Sequence, residues 1–260
     1  MVKLDYIEAK KISTMFLNPH DSCIRSFFEG RNGECYSDEK FPHEYAIIVF
    51  GDFVFLGGEP KDITKDELLT LLIKINNQHV IIIPFSNTWT TFIRDSRLLK
   101  EITRYHIDNE YSNDKFDPIL LQSYKDSLPD NYTYKFIDEK LFYEVRKYPQ
   151  FEDFTANISN YETFEKEALG VVVLDGDKIV AGASSFSFFQ GGIELQLDTD
   201  EAYRGKGIAT AVAATLILEC IHRNLYPCWD AANLTSVRIC TKLGYHCSGE
   251  YVAFEYSDTL

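Results

Sequence analysis

Positive charge is scarce in this chain. Against 40 aspartates and glutamates stand 26 lysines and arginines, a formal net charge of −14. Such a surface repels a phosphate backbone unless basic residues gather locally, and no Lys/Arg cluster does so, which argues against a nucleic-acid partner. The acidic balance suits a cationic amine substrate, although solubility alone accounts for most acidic surfaces. Long apolar runs are missing too: no segment approaches the roughly 20 residues that span a bilayer, so no membrane partner is expected. The opening Met-Val-Lys-Leu-Asp-Tyr-Ile-Glu spreads its charges and lacks an apolar stretch with a small-residue cleavage site, unlike a signal peptide.

Cys-x-x-Cys spacing is absent as well. Cys23, Cys35, Cys220, Cys228, Cys240 and Cys247 are scattered, which fits reduced thiols in a cytoplasmic protein and predicts neither a metal nor disulfides. What the chain has in quantity is apolar and aromatic material, 45% and 14% of 260 residues, enough for one large core or two smaller ones.

Taken in order, residues 3–30 read mainly as helix, with Ile7, Ile12, Phe16 and Leu17 apolar and a second stretch following Asn18-Pro19. Ala46 to Phe50 and Phe53 to Leu56 flank Gly51-Asp52 as strand, tight turn and strand. Thr64 and Glu67 are spaced as a capping box for a helix to Ile75. Val80 to Ile83 reads as a buried strand, Trp89 to Arg94 as a short helix, Glu101 to Ile107 as a strand, Asp108 to Asp117 as a loop and Pro118 to Ser127 as a helix. Leu128-Pro129-Asp130-Asn131 marks the expected domain boundary, giving an α/β domain over 1–128 and a second over 129–260. The second half continues with a strand from Tyr132 to Ile137, helices within Asp138 to Leu169, a hairpin around Asp175-Gly176-Asp177, and a last strand from Tyr251 to Tyr256. Residues 46–58 align without gaps on 171–183. Two readings stand: the N-terminal half is a degenerate copy of the C-terminal fold, or a common hairpin recurs by chance. In either case Glu59, Pro60 and Asp62 stand where a phosphate turn would be, and carboxylates there would repel a pyrophosphate.

The most informative stretch runs from Ile193 to Arg223. Ile193, Leu195 and Leu197 alternate with Glu194, Gln196 and Asp198, a strand with unlike faces. Gly205 and Gly207 then permit a turn closed to other residues, and a helix follows to about Asn224, with His222 and Arg223 at its negative end. Unpaired N–H groups at such a helix start bind phosphate readily, and Arg204 and Lys206 add charge. Tight packing of helix on strand is the plainer reading of the same glycines.

Arg204-Gly205-Lys206-Gly207-Ile208-Ala209 fits the Arg/Gln-x-x-Gly-x-Gly/Ala signature of the GNAT superfamily of acetyl-CoA-dependent N-acetyltransferases. The segment Asn-Leu-Thr-Ser-Val-Arg-Ile-Cys-Thr-Lys-Leu-Gly-Tyr, from Asn233 to Tyr245, is similar to that superfamily's second motif. The run from Gly-Ile-Glu-Leu through Trp-Asp-Ala-Ala-Asn to Lys-Leu-Gly-Tyr resembles its zwittermicin A resistance-like branch. The resemblance covers roughly the second half of the chain. It implies a mixed α/β fold, mainly antiparallel and flanked by helices, with acetyl-CoA as co-substrate and direct transfer to a primary amine of a small molecule, and it leaves homodimerisation open. By resemblance, the backbone of Asp198, Thr199 and Asp200 lines the pantetheine arm, Gly205 to Thr210 (with Lys206, Ile208 and Ala209) cradles the pyrophosphate, and Asn233 contacts the pantetheine.

Acetyl transfer needs a neutral amine, a polarised carbonyl and a proton for the departing thiolate. Glu194 is the candidate base, directly or through water, with a raised pKa expected; its plainer reading is a solvated residue on an open sheet face. Asp198 and Asp230, through water, are its substitutes. Asp230 can also hold a cationic acceptor or cap the next turn, and Asn233 can equally be a helix N-cap. Seven residues after Asn233, where the family commonly places a tyrosine acid, stands Cys240. A thiol of reference pKa about 8.5 can protonate a thiolate, but on an apolar helix face buried filler is the favoured reading. A coenzyme A-binding module without catalysis, or an acetyltransferase for protein or peptide amines, are the alternative functions.

Overall fold

The computed structural model describes residues 1–16, 21–75, 79–97 and 99–257. They form two compact units, one of Met1–Arg104 joined by the chain from Glu250 onward, the other of Tyr105–Gly249.

The first unit opens with β1 (Val2–Leu4), α1 (Tyr6–Ala9), a 3-10 turn over Lys10–Met15 and α2 (Ser22–Phe28). The long helix expected there is thus broken into short pieces, because Asp5 and Asp21 each start a new N-cap. The expected apolar Leu17 and the Asn18-Pro19 break lie outside the described residues. β2 (Glu34–Ser37), not anticipated, precedes β3 (Tyr45–Phe50) and β4 (Phe53–Gly58), which pair antiparallel around Gly51, whose φ is 58°. The capping box of α3 (Lys65–Ile75) is formed: Thr64 N–H donates to Glu67 Oε2 at 2.9 Å and Glu67 N–H to Thr64 Oγ1 at 3.2 Å. Leu68, Leu71 and Leu72 bury one face of that helix. β5 (His79–Pro84) then runs parallel to β4, followed by α4 (Asn87–Ser96) and β6 (Lys100–Ile107).

The second unit contains α5 (Pro118–Asp126), β7 (Tyr132–Phe136), α6 (Glu139–Glu144), α7 (Tyr161–Glu167), β8 (Gly170–Asp175), β9 (Lys178–Phe189), β10 (Gly192–Thr199), α8 (Ile208–His222), β11 (Tyr226–Cys228) and α9 (Leu234–Lys242). Its sheet has the order β11-β10-β9-β8-β7, antiparallel except for β10 and β11, which α8 connects. Every residue of α8 from Ala211 to Ile217 is buried, since β8, β9 and β10 pack on it and so does α5. Aromatic residues fill other parts of this core: Phe142 meets Phe164 at 5.3 Å between ring centroids, and Phe151 stacks on Phe154 at 5.5 Å. Gly182 makes room for Phe154, since a Cβ there would lie 2.4 Å from its ring.

β12 (Cys247–Ser257) returns the chain to the first unit, where Phe254–Ser257 run antiparallel beside His79–Ile82 and the strand order becomes β1-β2-β3-β4-β5-β12-β6. The observed division therefore differs from a boundary at 128/129: α5, N-capped by Asp117 and buried through Leu121, packs on α8, and β12 pairs with β5. The two aligned segments form hairpins in both units, but the topology shifts their equivalence by one strand. The strand that precedes a helix and pairs parallel with the next is β4 in the first unit and β10 in the second.

Gly192, the first residue of β10, has no space for a side chain. A Cβ there would stand 2.3 Å from Phe189 and 2.6 Å from the Tyr226 carbonyl. Gly192→Ala is expected to destabilise the protein by about 1–3 kcal/mol, measured as a lower denaturant midpoint with an unchanged slope.

Candidate active site

β10 is paired on both sides only at its start. With β11 it shares Gly192↔Tyr226, Ile193↔Pro227 and Glu194↔Cys228, and that register goes no further. With β9 it continues to Thr199, past a bulge: Glu194 faces Ser187 and Leu195 faces Ser185, so Phe186 is the extra residue. Ser187, Glu194 and Cys228 thus form a row across three strands. Glu194, Gln196 and Asp198 share one half-buried face, while Ile193 and Leu195 are buried on the other. Ser187 is 1% exposed and its hydroxyl has no hydrogen-bond partner among the described residues. No sequence signal marked this serine, since it pairs with Glu194 only through the bulged register.

The ladder fixes which main-chain groups face the side that β11 leaves. Asp200 N–H donates to Val180 O at 2.9 Å, on the β9 side. By the period-two alternation of an antiparallel pair, Gln196 and Asp198 also face β9, and Leu195, Leu197 and Thr199 face away. Thr199 is already engaged: its N–H donates to Asp198 Oδ1 at 2.6 Å and its carbonyl accepts from Arg204 Nε at 3.1 Å. The main chain on the open side is therefore the Leu195 carbonyl and that of Leu197, rather than that of Asp198 and Asp200. Asp200 serves the turn instead, capping Ala202 N–H at 3.0 Å and pairing with Lys178 at 2.8 Å. Burial pushes the Asp198 carboxyl above the usual carboxylate range, with Thr199 N–H and Arg204 pulling the other way.

β11 turns its outer groups elsewhere. Trp229 N–H donates to Asn109 Oδ1 at 3.1 Å, and Asn109 Nδ2 donates back to Trp229 O at 3.4 Å. Ala231 exchanges two main-chain bonds with Tyr105, at 2.9 and 3.2 Å. Asp230 stands between them, so the same alternation directs its main chain toward β10. Pro227, which has no N–H, occupies an outward position where none is needed, and its carbonyl accepts from the buried Tyr245 hydroxyl at 2.6 Å. The segment 108–115 is pinned alongside. Lys115 Nζ donates to Asp108 O at 2.8 Å and sits over the Tyr245 and Tyr226 rings at 4.8 and 5.3 Å; burial lowers its pKa.

At the end of β10 comes the glycine turn. Gly205 and Gly207 have φ of 77° and 82°, a region costly to any residue with a side chain. A Cβ at either would meet nothing within 4 Å. The glycines thus serve the backbone angle and leave clear space above it; close helix-to-strand packing is not what requires them. Gly207 caps α8 without a side-chain bond, so the first-turn N–H groups at Ile208, Ala209 and Thr210 point out with no intrahelical acceptor. Arg204 and Lys206 are exposed beside them, Lys206 Nζ lying 4.6 Å from the Tyr203 ring centre. An anion such as a pyrophosphate fits this cradle in space, donors and charge.

Asn233 is the N-cap of α9, its Oδ1 accepting from Thr235 and Ser236 N–H, both at 3.0 Å. Asp230 is half-buried at the end of the β11 chain. Cys240 is fully buried, its thiol donates to Val237 O at 3.2 Å, and burial pushes its pKa up to about 11. Among the described residues no group of three His, Cys, Asp or Glu is arranged to hold a metal ion, and no helix is long and apolar enough to cross a membrane.

Parallel strands that part above a glycine-initiated helix give the architecture of an acyltransferase. Residues 13–254 match the family model described as GNAT acetyltransferase, and this chain belongs to that family of acyltransferase enzymes. It is 32% identical to the GCN5-related N-acetyltransferase-like protein of Streptococcus suis 89/1591, with a TM-score of 0.87 over 96% of this chain and 98% of the other. It is 23% identical to the uncharacterized N-acetyltransferase YdfB of Bacillus subtilis (strain 168), covering 85% of each. A tandem GNAT protein from the clavulanic acid biosynthesis pathway shares the fold, with a TM-score of 0.56 at 10% identity over 98% of this chain and 97% of that one.

The burial of Cys240 generates a direct expectation. In the native protein near pH 8, iodoacetamide should alkylate the part-exposed Cys247 well before Cys240, because a thiol titrating near 11 holds little thiolate there. Peptide mass spectrometry after a timed quench reads the order, and equal labelling of the two would contradict it.

Proposed function

We propose that the Tyr105–Gly249 unit transfers an acetyl group from acetyl-CoA to a primary amine of a small molecule, directly and within a ternary complex. The observation that carries this is the edge of β10 left open after Glu194, ending on a glycine cradle suited to a pyrophosphate. Arg204, Lys206 and the N–H groups from Gly205 to Thr210 hold the pyrophosphate. The Leu195 carbonyl and the main chain of Leu197 face the space that β11 leaves and bind the pantetheine amides, with Asn233 at the mouth of α9. Acetyl-CoA supplies an activated thioester; the rest is asked of this chain.

Glu194 takes the proton from the incoming ammonium, directly or through water, and so gives the nitrogen its lone pair. Ser187, beside it with an unsatisfied hydroxyl, offers the acceptor a hydrogen bond. Asp230 attracts the cation, and Asp198 shapes the turn. From the ammonium, the sum is one C–N bond formed, one C–S bond broken, one proton passed to the departing thiolate and one released to solvent through Glu194. Cys240 has no part in that proton transfer, being buried with its S–H directed at Val237 O. This loss of the usual acid is the observation favouring a silent coenzyme A-binding module, and free coenzyme A release over a panel of amines, amino-bearing antibiotics included, separates the two.

Among the described residues the first unit holds no second cradle. Gly58, at the end of β4, has a φ of 72°, but a Cβ there would stand 2.3 Å from the Glu44 carbonyl, so the space is occupied. Glu59 bonds Thr88, and Asp62 pairs with Lys40. One acetyl-CoA per chain is expected by titration calorimetry, and Gly207→Glu should weaken it at least about tenfold, or 1.4 kcal/mol. Two equivalents, or unchanged affinity in the variant, would overturn the assignment.

Glu194→Gln keeps size and hydrogen bonding but cannot take up a proton. Turnover on a verified amine should fall by roughly a hundredfold near pH 7, with acetyl-CoA affinity within a few fold, and should partly recover at high pH where free amine accumulates. Full activity of the variant at neutral pH would remove Glu194 as the base.

A further inference from the structure

An aromatic ring stands beside the glycine turn, on the side away from the edge that β11 leaves. Tyr203 is half-buried in the 3-10 turn Glu201–Tyr203, between the end of β10 and Gly205. It lies across the ends of three strands. Tyr132, Asp175 and Lys178 form one row there, over β7, β8 and β9, which follow β10 in the sheet on the side opposite to β11. The Tyr203 hydroxyl donates to Asp175 Oδ2 at 3.0 Å, its ring meets the Tyr132 ring edge-on at 6.2 Å between centroids, and Lys178 Nζ stands 4.9 Å from its ring centre. Contacts to all three strands fix the place of the ring.

Lys206 Nζ rests on the same ring, 4.6 Å from its centre, where the electron-rich face attracts a cation. Two ammonium groups thus share one tyrosine, and they differ in what else they meet. Lys178 is paired with Asp200 at 2.8 Å, whereas Lys206 has no carboxylate in ion-pair range among the described residues. A lysine held by a ring rather than by a carboxylate keeps its full charge for an incoming anion. Its long stem is also ordered in advance, so less rotamer entropy is lost when the anion arrives. Asp175 and Asp200, which would oppose an anion there, are engaged by the Tyr203 hydroxyl and by Lys178. Along coenzyme A the pantetheine arm, the diphosphate and a ribose bearing a 3′-phosphate follow one another. Across the protein the order is the open edge of β10, the glycine cradle and the Tyr203 ring with Lys206. We propose that Lys206, held on the Tyr203 ring, forms a subsite for the 3′-phosphate of coenzyme A, with Tyr203 as its positioning residue. An ammonium suits this group, since lysine binds phosphate as a compact point charge with three donors.

The proposal rests on the acetyl-CoA reading, and two coenzymes keep the two apart. Coenzyme A and 3′-dephospho-coenzyme A share the arm and the diphosphate and differ only in the 3′-phosphate. In calorimetric titrations of the full chain, wild type is expected to bind coenzyme A about tenfold more tightly than the dephospho form. Lys206→Ala and Tyr203→Leu should each bring that ratio to within about twofold of unity, whatever either also costs at the diphosphate. Tyr203→Phe keeps the ring and should keep most of the preference. Tyr203→Met, which retains more of the side-chain volume, takes the place of the leucine variant if that one does not fold. A general loosening of the turn weakens both coenzymes alike and leaves the ratio where it was, so a preserved ratio in Lys206→Ala would overturn the subsite. A preserved ratio in the ring-less variants would overturn the role of Tyr203, and equal affinities in wild type would overturn both. Wild-type protein that binds neither coenzyme would overturn the acetyl-CoA reading and the subsite with it.

Discussion

A strand that loses its neighbour must give its N–H and C=O groups to something else, and β10 loses β11 after Glu194. Much of the second unit follows from that point. The bulge at Phe186 bends β9 against β10 where the parting begins, and the outer edge of β11 is taken up by Asn109 and Tyr105. Glu194 stands at the apex, paired across to Ser187 on one side and Cys228 on the other. A carboxylate, an unsatisfied hydroxyl and an open strand edge are brought together because the sheet divides there.

Electrostatics work locally against the whole. The chain carries a net charge of −14, yet the turn after β10 gathers Arg204, Lys206 and the N-terminus of a helix of 15 residues. Within a Debye length of about 8 Å these local positive groups outweigh distant carboxylates. Asp198 and Asp200 are close enough to oppose them, but Asp200 is paired with Lys178 and Asp198 is drawn to Thr199 N–H. The acidic surface and an anion cradle are thus compatible in one protein.

The strand, turn and helix from Ile193 to His222 were readable because each signal is local: alternation of period two, glycines at positive φ and a sustained apolar run. The capping box of Thr64 and Glu67 is local as well. The N-terminal helix was overread, since apolar spacing carries past the caps at Asp5 and Asp21 that break it. Asn109 gave no sign: in sequence it is one polar residue in a polar stretch, and its partner Trp229 lies 120 positions on. Which main-chain groups of β10 face the side that β11 leaves was hidden for a related reason. Which residues of a strand face its neighbour depends on register, and the register of β10 is set by its partners, which no motif in β10 itself encodes.

The first unit is discontinuous: its strand β5 lies between β4, made early, and β12, made last. During synthesis at about 5–20 residues per second, the chain from Tyr105 to Gly249 emerges complete while β5 still waits for its second neighbour. The inserted unit can therefore close first, and the N-terminal sheet finishes only when the C-terminal strand leaves the ribosome. Such a topology lets the order of assembly run against the order of translation.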